Sequence, residues 1–199
     1  MTTQAEGTRT VAGRELPPPG RWRIDPSHSQ IEFVARHMMI ARTRGRFREF
    51  SGTIHIAEVP EQSSVEVVIV AASIDTGDAQ RDAHLRSPEF LDVERFPEIR
   101  FRSTGVRPVA DNRWEVAGDL TIRDVTRPVT LDVEFCGVAT DPWGNLRAAF
   151  LASTEINRDD FDVSWNQALE GGGFLVGKGV RIELDIEAVR EAEQEAQRE

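Results

Sequence analysis

Val180-Arg181-Ile182-Glu183-Leu184-Asp185-Ile186-Glu187 alternates an apolar with a charged side chain at every step. Successive side chains of a strand point to opposite faces, so this octet has one dry face and one charged face. Val129-Thr130-Leu131-Asp132-Val133-Glu134-Phe135 repeats the pattern, and residues 29–37 set Ile31, Phe33 and Ala35 opposite Gln30, Glu32 and Arg36. Further strands are legible at residues 43–59, with Gly45 and Gly52 as bend or bulge points. Residues 65–74 are apolar on both faces and read as a more deeply covered strand, and 99–106, 114–122 and 146–156 complete the set. Asp141-Pro142-Trp143-Gly144-Asn145 is a turn that makes a hairpin of its flanking strands.

About eight strands with one dry and one wet face leave a sandwich or a closed barrel. Ten residues at roughly 3.3 Å each give strands near 33 Å long, which favours a tall up-and-down meander. Eight strands close into a barrel whose interior is filled or holds one small ligand. The expected fold is therefore all-β, an eight-stranded antiparallel barrel. Phe33, Phe101, Phe135 and Phe150 face inward on this reading. Periodicity does not say whether they, with Trp22, Trp114, Trp143 and Trp165, fill the interior or enclose a void.

The strand rhythm stops in residues 73–101. Thr76 or Asp78 is suited to N-cap a short helix through Arg86. Ser87-Pro88-Glu89-Phe90 reads as a second N-cap with proline at the first helical position. This insertion carries Leu85, Phe90, Leu91, Val93 and Phe96, more apolar surface than a free loop needs. The open end of a barrel is the nearest surface for it to pack on.

Composition narrows the function classes. The chain has 199 residues, one domain by length, with a formal net charge of −10. That charge argues against a nucleic-acid partner, which needs a surplus of Lys and Arg on one face. No apolar run approaches the roughly 20 residues that span a bilayer, so an integral membrane protein is not expected. Residues 1–20 lack the basic and apolar regions of a secretion signal and end in Pro17-Pro18-Pro19-Gly20. They are expected to be a flexible leader, followed by a barrel over residues 21–189 and an acidic tail over 190–199. With one cysteine, Cys136, the expected location is cytoplasmic.

The short motifs are weak. Residues 172–179 match the start of a phosphate-binding loop, but Gly179 stands where Ser or Thr would hold magnesium, and a strand rather than a helix follows. His28, His37, His55 and His84 show no paired ligand spacing, so no metal is expected. His37 ends its strand on the apolar face, where a polar group needs a partner. Ser27 and His28 are adjacent, which is not how a nucleophile and its base are arranged. Cys136 lies on a polar face with no sign of activation. Arg158-Asp159-Asp160 reads either as a structural ion pair or, through Arg158, as a contact to a ligand head group.

The ordered landmarks nevertheless add up. Trp22-x-Ile24-Asp25-x-x-His28-Ser29-x-Ile31-x-Phe33 is followed by His37, Gly45-x-Phe47 and Phe50-x-Gly52. Ser73-Ile74-Asp75-Thr76, Arg81-Asp82-x-His84-Leu85, Phe90 and Phe96-Pro97-x-Ile99-x-Phe101 come next. Gly118-x-Leu120-Thr121-Ile122, Val125-Thr126-x-Pro128-Val129 and Ile156-Asn157-Arg158-x-Asp160-Phe161 complete the series. Over residues 21–189 the chain resembles the YceI family of polyisoprenoid-binding, lipocalin-like proteins. It departs from the family pattern at Asp162, where a glycine is usual, and in lacking the secretion signal that many members carry.

The resemblance implies a barrel whose long cavity holds one amphiphilic chain, a polyisoprenoid, an isoprenoid quinone or its precursor, for storage or transport. The implied lining is Ile31, Phe33, Val67, Ile69, Phe101, Leu120, Leu131, Val133, Phe135, Phe150 and Leu184, with Phe90 and Leu91 covering the ligand from the insertion. His37, Asp82, His84 and Arg158 are the candidates for a polar mouth, either meeting a polar head or stabilising the rim. No cofactor is expected beyond the lipid, and a homodimer is allowed. Two rivals stand beside this reading. One is an enzyme using His37 or His84 on a bound lipid, which requires a histidine and a carboxylate converging inside the cavity. The other is a filled barrel acting as a ligand-free stress or interaction module.

Overall fold

The computed structural model describes residues 7–192. A short hairpin of β1 (Arg9–Val11) and β2 (Arg14–Leu16) precedes β3 (Gly20–Ile24) and β4 (Gln30–His37). Next come β5 (Ala41–Phe47), β6 (Phe50–Ile56), β7 (Ser64–Val70) and the two-residue β8 (Ile74–Asp75). After α1 (Ala79–Arg86) follow the long strands β9 (Glu98–Pro108), β10 (Arg113–Ile122), β11 (Val125–Thr140), β12 (Leu146–Asn157) and β13 (Val176–Arg190). Hydrogen-bonded neighbours run β12-β11-β10-β9-β7-β6-β3-β13, and a β12–β13 ladder shuts the ring. The result is a closed eight-stranded antiparallel barrel with one helical insertion.

The ring bends where β13 changes partner. Its C-terminal end pairs with β3 (Arg190↔Trp22) and the rest with β4 (Leu184↔Ile31, Val176↔His37). Between the two, Asp25 N donates to Glu187 O at 2.8 Å. The Ser29 hydroxyl then stands in for a ladder rung, accepting from Glu187 N (2.9 Å) and donating to Glu187 O (3.1 Å). A buried backbone group needs such a partner, so a small hydroxyl residue at the bend is a physical requirement.

Several details differ from the sequence expectation. Residues 43–59 are two strands, since the chain corners at Arg48-Glu49 so that β5 pairs with β4 and β8 while β6 pairs with β3 and β7. Gly45 and Gly52 do not mark bends. A Cβ at Gly45 would overlap the ring of Phe33, and one at Gly52 would lie 2.7 Å from Ile24 Cδ1, so both glycines make room for inward side chains. β7 ends at Val70 and is not covered on both faces, because Val70 looks outward into solvent. Isolated exposed valines are ordinary on a pleated surface and do not imply a second packed layer. Asp78 caps α1 by accepting from Arg81 N at 2.8 Å. No second helix follows Ser87. Asp92 N and Val93 N return to Ser87 O and Arg86 O, and Asp92 is left-handed, so the chain folds back as turns. Trp143 fills no core: at the tip of the β11–β12 hairpin it is 82 % exposed.

The leader needs the largest correction. From Arg9 onward it is part of the fold, with Leu16 and Pro17 buried at one end of the barrel. The Arg9 guanidinium donates to the carbonyls of Pro17 (3.2 Å), Glu58 (2.9 Å) and Ala57, and Trp22 Nε1 donates to Pro18 O at 3.3 Å. A proline run reads as linker because it cannot join a ladder, but it has no N–H to satisfy and so makes an inexpensive plug. The expected tail over 190–199 begins inside β13 at Arg190, and residues 193–199 lie outside those described.

Both ends of the barrel are packed. The upper end, beneath the leader, holds Trp22, Ile56, Phe135, Ala148 and Ala188. At the lower end the insertion lays Leu85, Phe90, Leu91 and Val93 against Ile99, Leu120, Ile122, Ile156 and Phe161. Its apolar residues therefore have the partner that their number requires.

Candidate ligand cavity

Between these ends lies a cavity of about 330 Å³, within the roughly 300–1,000 Å³ range of small-molecule sites. All thirteen side chains expected on its wall are there: Ile31, Phe33, Val67, Ile69, Phe90, Leu91, Phe101, Leu120, Leu131, Val133, Phe135, Phe150 and Leu184. They divide by packing. Ile31, Phe90, Leu120 and Phe135 are buried, whereas Phe33, Val67, Phe101, Leu131, Val133, Phe150 and Leu184 are only half-buried although they point inward. In a close-packed interior, voids larger than a water are few. Half-buried inward side chains mean that the middle of the barrel has walls and no filling.

Other wall residues were not singled out from the sequence. Trp114, Val116 and Ile182 share faces with Leu120 and Leu184, so the same alternation would have found them. Phe161 and Val163 come from the loop after β12, where no periodicity operates. Leu16 and Pro17 close the upper end from a segment whose composition reads as linker.

The four polar candidates gather towards the lower end, each already engaged or turned away. Arg158 is 5 % exposed and spends its guanidinium on four carbonyls. Nε donates to Gly177 O (2.9 Å), Nη1 to Val163 O (2.5 Å) and Trp165 O (2.9 Å), and Nη2 to Val176 O (3.3 Å). Burial pushes its pKa below the usual guanidinium range. Arg158 lines the lower end of the cavity but spends its guanidinium on clamping the loop before β13, and the ion pair of this segment is made by Asp159 with Lys178 at 2.8 Å. That clamp follows the 3-10 turn Arg158–Phe161, which ends at left-handed Asp162 (φ 57°), a conformation that suits glycine and that Asp tolerates better than most residues. Asp82 is buried and accepts from Thr76 N (2.9 Å) and Thr76 Oγ1 (2.5 Å), which fixes α1 to β8. His84 stacks edge-on against Phe90 and Trp165 and meets Glu89 at 2.5 Å, away from the cavity wall. His37 is exposed at the end of β4 and is not on the wall. The His–carboxylate pair is thus outside the cavity.

Two clusters imitate sites. Ser27 Oγ donates to Asp25 Oδ1 (2.6 Å) and lies 3.0 Å from His28 Nδ1, which is itself 2.9 Å from Asp25 Oδ2. A hydrolytic triad uses opposite ring nitrogens for serine and aspartate, and here one nitrogen faces both. Asp25, His28 and Glu187 also converge as metal ligands would. A cation already stands among these acids: Arg147 Nη1 donates to Asp25 (2.8 Å) and Glu187 (2.5 Å), and its Nε to Asp141 (2.8 Å). The Ser27 hydroxyl, with Arg147 and His28, holds the Asp25 carboxyl far below the usual range, and Arg147 with Asn145 does the same for Asp141. Cys136 faces outward with its thiol pushed up by desolvation, the reverse of an activated nucleophile.

Comparison with known proteins agrees with this geometry. The profile of the YceI-like domain matches residues 22–188. A UPF0312 protein of Yersinia enterocolitica is 42 % identical over 85 % of this chain and 86 % of its own length. The crystal structure of Burkholderia cenocepacia BcnA superposes with a TM-score of 0.73 at 24 % identity, covering 82 % of this chain and 98 % of that one. A polyisoprenoid binding domain from Saccharophagus degradans, implicated in plant cell wall breakdown, gives a TM-score of 0.63 at 14 % identity over 87 % of this chain and all of its own. These two structural likenesses are of fold.

Proposed function

The chain belongs to the YceI-like family, and on that premise we propose that it encloses one long apolar lipid, a polyisoprenoid or an isoprenoid quinone or precursor, for storage or transport. The observation that carries this reading is the hollow middle of the barrel, whose inward side chains are hydrocarbon and only half-buried. The polyisoprenoid-binding fold neighbour supports the choice of ligand class. Binding without chemistry is the fitting role, since none of the four histidines is on the cavity wall. A cytoplasmic setting is part of the proposal, supported by a single, exposed, unpaired cysteine.

Magnitudes explain how such a site selects. Burying each CH₂ is worth about 0.8 kcal/mol, so a forty-carbon chain would yield roughly 30 kcal/mol gross. Observed affinities stop near −20 kcal/mol, so chain ordering and competing burial in membranes cancel much of the gain. Length and shape of the tail then decide, and one hydrogen bond does not. Arg158 and Asp82 are engaged inside the protein, so neither competes with that rule as a head-group clamp. Organic extraction of the folded protein followed by mass spectrometry is expected to release a long-chain isoprenoid. Extraction that returns only heterogeneous traces from fully folded protein would count against the proposal.

A further inference from the structure

The tip of the β4–β5 hairpin combines three features that the barrel itself does not need. The connection is three residues long, Met38 to Ile40, with Ile40 N donating to His37 O at 3.2 Å, and the two residues inside that hydrogen-bonded turn are left-handed, Met38 at φ 52° and Met39 at φ 64°. Such a turn favours Asn-Gly, because bulky side chains are strained at positive φ. Here it carries methionines, followed by Ile40, which is 85 % exposed. Met38 and Met39 are also exposed, and Met38 N donates to Leu175 O (2.8 Å), which ties the tip to the loop bearing exposed Phe174.

Charge is the third feature. Directly behind the tip Arg36 lies opposite Arg42 across the ladder, a like-charge pairing that destabilises a sheet. Further along β5, Arg44 is matched by Glu183 and Arg46 by Asp75. Arg36 and Arg42 have no carboxylate partner among the described residues, although the chain as a whole carries a net charge of −10. Between Trp165 and Leu175 the loop tied to the tip carries one acid, Glu170. A strained apolar tip with a cationic collar matches the requirements of an anionic bilayer surface, apolar insertion plus attraction to head groups.

We propose that this hairpin tip is a docking wedge for anionic phospholipid surfaces, seating Met38, Met39 and Ile40 among the acyl chains with Arg36 and Arg42 at the head groups. Ala35 on β4 and Val176 on β13, paired with His37 at the hairpin's base, line the cavity, so docking brings the lower end of the barrel to the membrane. Neither the strain nor the charge depends on what the cavity holds, and the wedge stands or falls apart from the ligand.

The test is co-sedimentation of the full chain with phosphatidylcholine vesicles, with and without phosphatidylglycerol. The wedge requires binding to the anionic vesicles that weakens with added salt. Met38→Asn combined with Met39→Gly should lower that binding by about tenfold or more, from the apolar surface removed. The same pair should keep or raise the melting temperature, because it relieves the turn. Arg36→Gln and Arg42→Gln should each cost about fivefold on anionic vesicles and little on neutral ones. No binding by the unaltered chain, or undiminished binding by the Asn-Gly variant, would overturn the proposal. So would self-association that the Asn-Gly pair abolishes without any vesicle binding, which would give the tip to a second copy of the chain.

Discussion

At the upper end of the barrel Trp22, Phe135, Ala148 and Ala188 are shut off from solvent, whereas at the waist Phe101, Leu131, Val133 and Leu184 are half-buried. The contrast runs along single strands. Phe135 and Val133 are two residues apart on the inner face of β11, and Ala188 and Leu184 four apart on that of β13. The same alternation places all of them inside, so the difference is made by what arrives from elsewhere in the chain. The leader fills the upper end and the insertion fills the lower one. At the waist Ile24, Ile31, Phe50 and Ile186 pack one wall, and the described chain leaves the cavity beside them unfilled.

If the ends carry the stability and the waist carries the ligand, substitutions should separate along that line. The largest loss is expected for Trp22→Ala, about 3–5 kcal/mol in urea or thermal unfolding, because a fully buried indole leaves a cavity that a closed barrel cannot collapse. Arg158→Ala should cost nearly as much, about 3 kcal/mol, since several buried carbonyls lose their donor together. Phe135→Trp should overpack the upper end by about 1–3 kcal/mol, and Phe101→Trp at the waist should cost under about 1 kcal/mol. Equal losses for the two tryptophan variants would mean that the waist is filled. Gly118→Ala is expected to lower both stability and occupancy. The ring of Phe101 lies over that glycine and the Arg102 carbonyl oxygen lies 2.7 Å from where its Cβ would be, so a methyl group there must push the ring into the cavity and strain the β9–β10 ladder. Mass spectrometry should then find less lipid per folded chain.

The gentlest test is acidification. The carboxyls of Asp25 and Asp141 hold protons less tightly in the folded state than in the unfolded chain, so unfolding takes up protons. Their stabilisation is complete above the ordinary carboxylate pKa of about 4 and is lost as pH falls below it. Arg147→Gln should flatten that acid limb of a melting-temperature profile and leave the cavity's occupancy unchanged.

How far the sequence could be read follows from the same physics. Strict alternation in residues 129–135 and 180–187 determines which side chains face inward, and every wall residue chosen on that basis, or from the insertion, lines the cavity. Alternation reports direction and not density, so Phe135 and Phe101 looked alike. Of the two roles open to the polar residues, meeting a head group or holding the rim, alternation cannot choose either. Arg158, Asp82 and His84 lie near the right end of the barrel, but their hydrogen bonds run to carbonyls, a threonine and a glutamate that only the folded chain brings within reach. The leader was misread because a proline run that plugs a barrel and one that links domains have the same composition.

The hollow waist is tested most directly by a native mass spectrum of the protein as isolated. The proposed function predicts a species one lipid heavier than the bare chain, with one such mass per copy whether the protein is monomeric or dimeric. Folded protein seen only at its bare mass, with Phe101→Trp as costly as Phe135→Trp, would contradict it.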